Sequence, residues 1–151
     1  MEISSSKDAM VAIATAMKVE GNVIGRYRTA AKAIPNESAR RLFMSIIAQK
    51  QKHSDRLAEM FSDGVADASA SDMTGVFYTA EVSSATLFPF LQLCIENETW
   101  MRESYERLSA MLDDPDARFL IDGFIADERK MITWLTDFHD LLAMTSDLKQ
   151  A

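Results

Sequence analysis

Residues 20–57 read EGNVIGRYRTAAKAIPNESARRLFMSIIAQKQKHSDRL, and residues 98–135 read ETWMRESYERLSAMLDDPDARFLIDGFIADERKMITWL. Offset by 78 positions, the two stretches align without a gap. Glu20 falls on Glu98, Tyr27 on Tyr105, Ala39 on Ala117, Arg40 on Arg118, Ile47 on Ile125, Lys52 on Lys130 and Leu57 on Leu135. Each stretch is interrupted at the same place, by Pro35-Asn36 in one half and Asp113-Asp114-Pro115 in the other. Proline has no N–H to donate and disfavours helical geometry in the residue before it, so each break ends a helix. Asn36 and Asp114 are then N-caps of the helices that follow, with Pro115 in the first helical position. The repeated unit is a helical hairpin.

Apolar residues continue the helical spacing on the N-terminal side of Glu20, through Met10, Ile13 and Met17, behind a serine cap at Ser4-Ser5-Ser6 with Asp8 in the first turn. The second helix is expected to end near Phe61, because an Ala-, Ser-, Asp- and Gly-rich stretch follows from Ser62 to Gly75. A third helix is expected over about 84–112, with Pro89 tolerated near its start, and a fourth from Pro115 to about Leu148. The chain therefore reads as one all-α domain over 1–151, an up-down four-helix bundle of two hairpins at about 6–62 and 84–148. A linker at about 63–83 crosses between the pairs.

Of the 151 residues 48% are hydrophobic, and only five are glycine and three proline, which suits helices and a sizeable core. A net charge of −7 excludes a nucleic-acid or anionic-membrane surface, since either needs clustered Lys and Arg. No basic region precedes an apolar run and charges interrupt every apolar stretch, so a cytoplasmic protein without a membrane span is expected. The single cysteine, Cys94, excludes an internal disulfide framework and any Cys-x-x-Cys metal knuckle. No glycine-rich phosphate loop, dinucleotide fingerprint or nucleophile elbow is present.

Chemistry concentrates in the repeat. In each half a mid-helix Glu is followed seven residues later by a Tyr on the same helix face. The partner helices carry Lys50-Gln51-Lys52-His53 and Glu128-Arg129-Lys130-Met131, each with its first and last residue one turn apart. A Glu on one helix and Glu-x-x-His on the next, used twice, is the ligand pattern that this resembles: the ferritin-like di-iron carboxylate bundles, and most closely their rubrerythrin branch. The resemblance covers about Glu20 to Phe61 and Glu98 to Phe138.

Position by position, the resemblance implies terminal carboxylates at Glu20 and Glu98, a bridging carboxylate at Glu128 and an imidazole ligand at His53. Lys50 stands where the other bridging Glu belongs, and Met131 where the second His belongs. A full di-iron centre is therefore not expected. Lys50 could replace a metal by an internal ion pair with Glu20, Glu98 and Glu128. One iron, manganese or zinc ion held by Glu20, His53 and Glu128 is the other reading, against which the repulsion of a cation by the Lys50 ammonium counts. Tyr27 and Tyr105 are candidate hydrogen-bond partners of the carboxylates or plain packing residues. A buried, inert thiol is expected at Cys94, a surface position at His139, and a core or subunit-contact role for the cluster from Leu87 to Leu91.

Three functions stay open. One is peroxide-, oxygen- or iron-related redox chemistry of the di-iron oxidoreductase or peroxidase type, served by an external electron donor because the sequence has no Cys-x-x-Cys. Another is a metal-free bundle with a structural or interaction role. The third is a bundle that binds an apolar small molecule between its helices, supported only by the Met and Phe content, which a plain core explains equally well. The resemblance also implies a homodimer.

Overall fold

The computed structural model describes residues 7–65 and 87–150, with side chains over 7–61 and 87–145. Four helices result: α1 (Lys7–Ala33), α2 (Glu37–Val65), α3 (Leu87–Met111) and α4 (Pro115–Gln150). The all-α four-helix bundle is as expected, with no strand among the described residues. One helix end differs from the sequence reading. Helix α2 carries Gly64 and reaches Val65, so the first residues of the expected linker are helical. Helix α3 is described from Leu87, and the expected start at Ser84 lies outside the described residues, as do the serine cap and the rest of the linker.

The hairpin corners show the repeat as physical equivalence. Asn36 Oδ1 accepts from the Ala39 N–H at 3.0 Å, and Asp114 Oδ2 from the Ala117 N–H at 3.2 Å. These are the expected N-caps, each satisfying one orphan donor of the first turn. Arg40 donates to the Ile34 carbonyl at 2.9 Å, and Arg118 to the Leu112 carbonyl at 2.6 Å, closing the preceding helix in both halves.

Ring contacts give the direction of each helix. Tyr27, late in α1, meets Phe43, early in α2, at 5.4 Å and Phe90, early in α3, at 6.5 Å. Phe43 and Phe90 lie 5.5 Å apart, so α2 and α3 start at the same end and run parallel. The connection from Val65 to Leu87 must therefore join opposite ends of the bundle, which is the expected crossover. Ile13, Phe43, Ile46, Leu57, Leu91, Met101, Leu108, Ile121 and Leu135 are fully buried between the helices. Leu87 and Leu91 belong to that core, and Phe90 packs against it.

Candidate metal centre

Each helix delivers polar side chains to the middle of this apolar core. Glu20 comes from α1, Lys50 and His53 from successive turns of α2, Glu98 from α3 and Glu128 from α4. All five are at most 1% exposed. Met131, also fully buried, contributes thioether and methylene where the repeat has an imidazole on the other side.

Lys50 sits at the centre. Its Nζ donates to Glu20 Oε1 at 2.8 Å, Glu98 Oε1 at 2.5 Å and Glu128 Oε1 at 3.3 Å. An ammonium has three donors, and all three are used. Lys50 and Glu128 are themselves 78 residues apart, so the pseudo-two-fold axis of the repeat passes between two side chains that touch. The expected internal ion pair is the arrangement found.

Around that axis the two halves are unequal. Tyr27 donates to Glu98 Oε2 at 2.5 Å, so both oxygens of Glu98 are bonded. The equivalent bond, from Tyr105 to Glu20, is not made. Tyr105 Oη, Glu20 Oε2, Glu128 Oε2 and His53 Nδ1 are all buried without a hydrogen-bond partner. His53 Nδ1 lies 3.7 Å from Glu20 Oε2 and 3.7 Å from Glu128 Oε1. The other ring nitrogen, Nε2, lies 3.0 Å from Asp127 Oδ2, and the ring stacks on Phe124 at 4.2 Å. With Nε2–H donating to Asp127, the Nδ1 lone pair is turned inward, as a carboxylate fixes a ligating imidazole in metal sites.

The electrostatics follow from burial and one internal cation. Burial alone would push the Lys50 ammonium down, but Glu128, Glu20 and Glu98 outweigh it and hold Lys50 well above the usual lysine range. Burial also works against ionised Glu20, yet the Lys50 ammonium, helped by His53, keeps its carboxyl below the usual value. Glu128 goes the other way: burial and neighbouring Glu98 outweigh Lys50 and push it well up. Burial, with Glu98 adding to it in each case, also raises Tyr27, Tyr105 and Cys94, so the phenols keep their protons and Cys94 is the inert thiol expected.

Charge counting tests whether a cation fits. Three ionised carboxylates against one ammonium leave two negative charges in a site without water access. Protonation of Glu128 removes one; a single divalent ion removes both. Glu20, His53 and Glu128 each offer one ligand atom, all within 4.8 Å of one another. Two carboxylates and an imidazole suit iron, manganese or zinc. These residues fit one ion, whereas on the Glu98 side Lys50 Nζ and Met131 leave no ligand set for a second.

No established family profile matches the sequence, and no curated protein matches it. Solved structures do. A hypothetical protein from Pyrococcus furiosus superposes with a TM-score of 0.78 at 16% identity, over 89% of this chain and 90% of that one. A two-domain protein from Anabaena variabilis, containing DJ-1/ThiJ/PfpI-like and ferritin-like domains, gives 0.70 at 16% identity, over 93% of this chain and 38% of that one. A conserved hypothetical protein from Mycobacterium tuberculosis gives 0.69 at 19% identity, over 89% and 99%. The likeness is one of fold.

Two placements depart from the sequence reading. Asp127 was not singled out, because the repeat aligns it with Gln49 and gives it no counterpart. An acidic residue beside Glu128 on the helix flank facing His53 was the available signal. His139, expected at the surface, is half-buried: its side chain is 18% exposed and its ring stacks on Phe88 at 4.1 Å.

Proposed function

We propose that this bundle is a rubrerythrin-like, ferritin-like protein that holds one divalent metal ion, iron by preference with manganese or zinc as alternatives, between Glu20, His53 and Glu128. The observation that carries this reading is the buried trio of Glu20, His53 and Glu128, which offer one ligand atom each within 4.8 Å of one another and each keep one buried polar atom without a partner. Such groups are costly unless a cation or protons compensate them. A bound iron or manganese would supply the redox capacity that peroxide or oxygen chemistry needs, with electrons from an external donor.

The chain's own residues prepare that site. Lys50 holds Glu20 and Glu128 by their Oε1 atoms, leaving Oε2 of each for a ligand. Asp127 fixes the imidazole, and Phe124 holds its plane. Tyr105, its ring edge-on to His53 at 6.2 Å, keeps its phenolic proton beside the site with no partner of its own.

Metal analysis of protein purified after iron-supplemented expression tests the proposal. One equivalent per chain is expected, lost in His53→Ala. Saturation at 100 times the dissociation constant should add about 2.7 kcal/mol of stability. A second reading, a metal-free structural bundle, is favoured by the complete pairing of the Lys50 ammonium. No bound metal, with unchanged denaturation at saturating iron, manganese and zinc, would establish it over the first.

A further inference from the structure

The outward face of α4 carries an apolar row that its own bundle does not use. Phe119, Trp134, Leu141 and Met144 are 84%, 39%, 57% and 63% exposed. At about 100° per residue they fall within one arc of about 120°, opposite the buried Glu128 and Leu135. The row is not a property of the hairpin repeat. The positions equivalent to Phe119, Trp134 and Leu141 are Arg41, Arg56 and Asp63.

The same arc is acidic. Asp116, Asp122, Asp137 and Asp140 lie on it, against the single cation Lys130. Asp116 and Asp137 meet no cation among the described residues, and Asp140 meets only His139. The arc also belongs to the acidic half of the molecule. Over 7–61 the chain has ten Lys and Arg against five Asp and Glu, whereas over 87–145 it has five against twelve. The field over α4 therefore favours a cationic partner.

These observations select the chemistry of an occupant. The aspartates repel an anionic lipid surface. A second copy is a poor match, since α4 against α4 opposes two acidic faces. The basic first hairpin exposes one large hydrophobic, Met44, among the described residues, so it has no row to offer. A straight apolar stripe along a helix suits another helix, with anchors at i, i+3 or i+4, and i+7.

We propose that this face docks a cationic amphipathic helix carried by another protein. The apolar side of that helix lies along Phe119, Trp134, Leu141 and Met144, and its Lys and Arg reach Asp116, Asp122, Asp137 and Asp140. None of these residues belongs to the buried cluster, so the test does not depend on a bound metal.

The probe is a fluorescein-labelled, helix-forming 18-residue peptide of Leu and Lys, with Leu at i, i+3, i+4 and i+7, titrated with the full chain by anisotropy. Saturable binding is expected with a dissociation constant below about 100 μM. The counterpart with Glu in place of Lys should not bind. Leu141→Ser should raise the constant at least about tenfold, as should Asp137→Lys with Asp140→Lys. Met44→Ser, on the other hairpin, should leave it within about twofold. Circular dichroism checks the fold of each variant. No saturation by about 200 μM overturns the proposal. So does equal binding of the Glu peptide, or binding indifferent to Leu141→Ser, which would be charge attraction without docking. Absent peptide binding with self-association that Leu141→Ser abolishes, seen by sedimentation, overturns it in favour of a second copy.

Discussion

Lys50 shows what one ammonium at an inward-facing position does to a carboxylate cluster. A glutamate at that position would carry a charge two units lower, the difference being the charge of one divalent ion. Completing the pattern should add a site: Lys50→Glu with Met131→His is expected to bind two metal equivalents where the proposed function expects one of the wild type, as metal analysis of the folded variant would show. Lys50→Met instead removes the internal cation and leaves the buried carboxylates unpaired. In chelator it should lose about 3–5 kcal/mol in urea denaturation, the usual result of deleting one partner of a buried ion pair.

Glu128 and Glu20 give opposite pH signatures. The folded-state pKa of Glu128 is raised, so its contribution is fully present below the ordinary carboxylate value and is lost as pH rises through the folded value. Glu128→Gln keeps the neutral form at all pH, so in chelator it should match the wild type near pH 4 and become the more stable protein at pH 8. Glu20 is lowered, so its contribution is present above the ordinary value and fades as pH falls through the depressed one. Glu20→Gln should therefore cost stability at neutral pH, with the gap closing in acid. Denaturation midpoints across the pH series check both signs.

At the scale of the helices, the corners do equal work in the two hairpins. Asn36→Ala and Asp114→Ala each remove an N-cap with the same geometry, and each should cost about 1 kcal/mol. The double variant should cost the sum, since the corners share no partner. Urea denaturation of the three variants measures this. The corners were legible in the sequence because capping is local: a Pro, an Asn or Asp and an Arg within a few residues determine it. The Glu-Tyr spacing was legible for the same reason. Asp127 was not, because its role depends on which flank of α4 faces His53, a matter of how α2 and α4 are rotated against each other. The inequality of Tyr27 and Tyr105 was equally hidden, since the repeat treats them as identical and only the position of the Lys50 ammonium separates them.

For the molecule as a whole, the site is also the joint between the hairpins. Lys50–Glu98, Lys50–Glu128, Tyr27–Glu98 and His53–Asp127 all run from the first hairpin to the second. The first hairpin keeps a Lys50–Glu20 pair of its own, whereas buried Glu98 and Glu128 of the second depend on Lys50 of the first for a cation. Residues 1–65 and 87–151 produced as separate chains should therefore associate one to one when co-expressed with a tag on either, and Lys50→Met should abolish co-purification.

The same arrangement bears on how the protein lives with a changing metal supply. A bound ion can be chelated, outcompeted or withheld by starvation. The Lys50 ammonium is encoded in the gene and travels with the chain, so under the proposed function part of the cluster's neutralisation is inherited and only the rest would be acquired. Under that proposal a cell short of metal still makes a folded bundle, with the ion a passenger rather than a keystone.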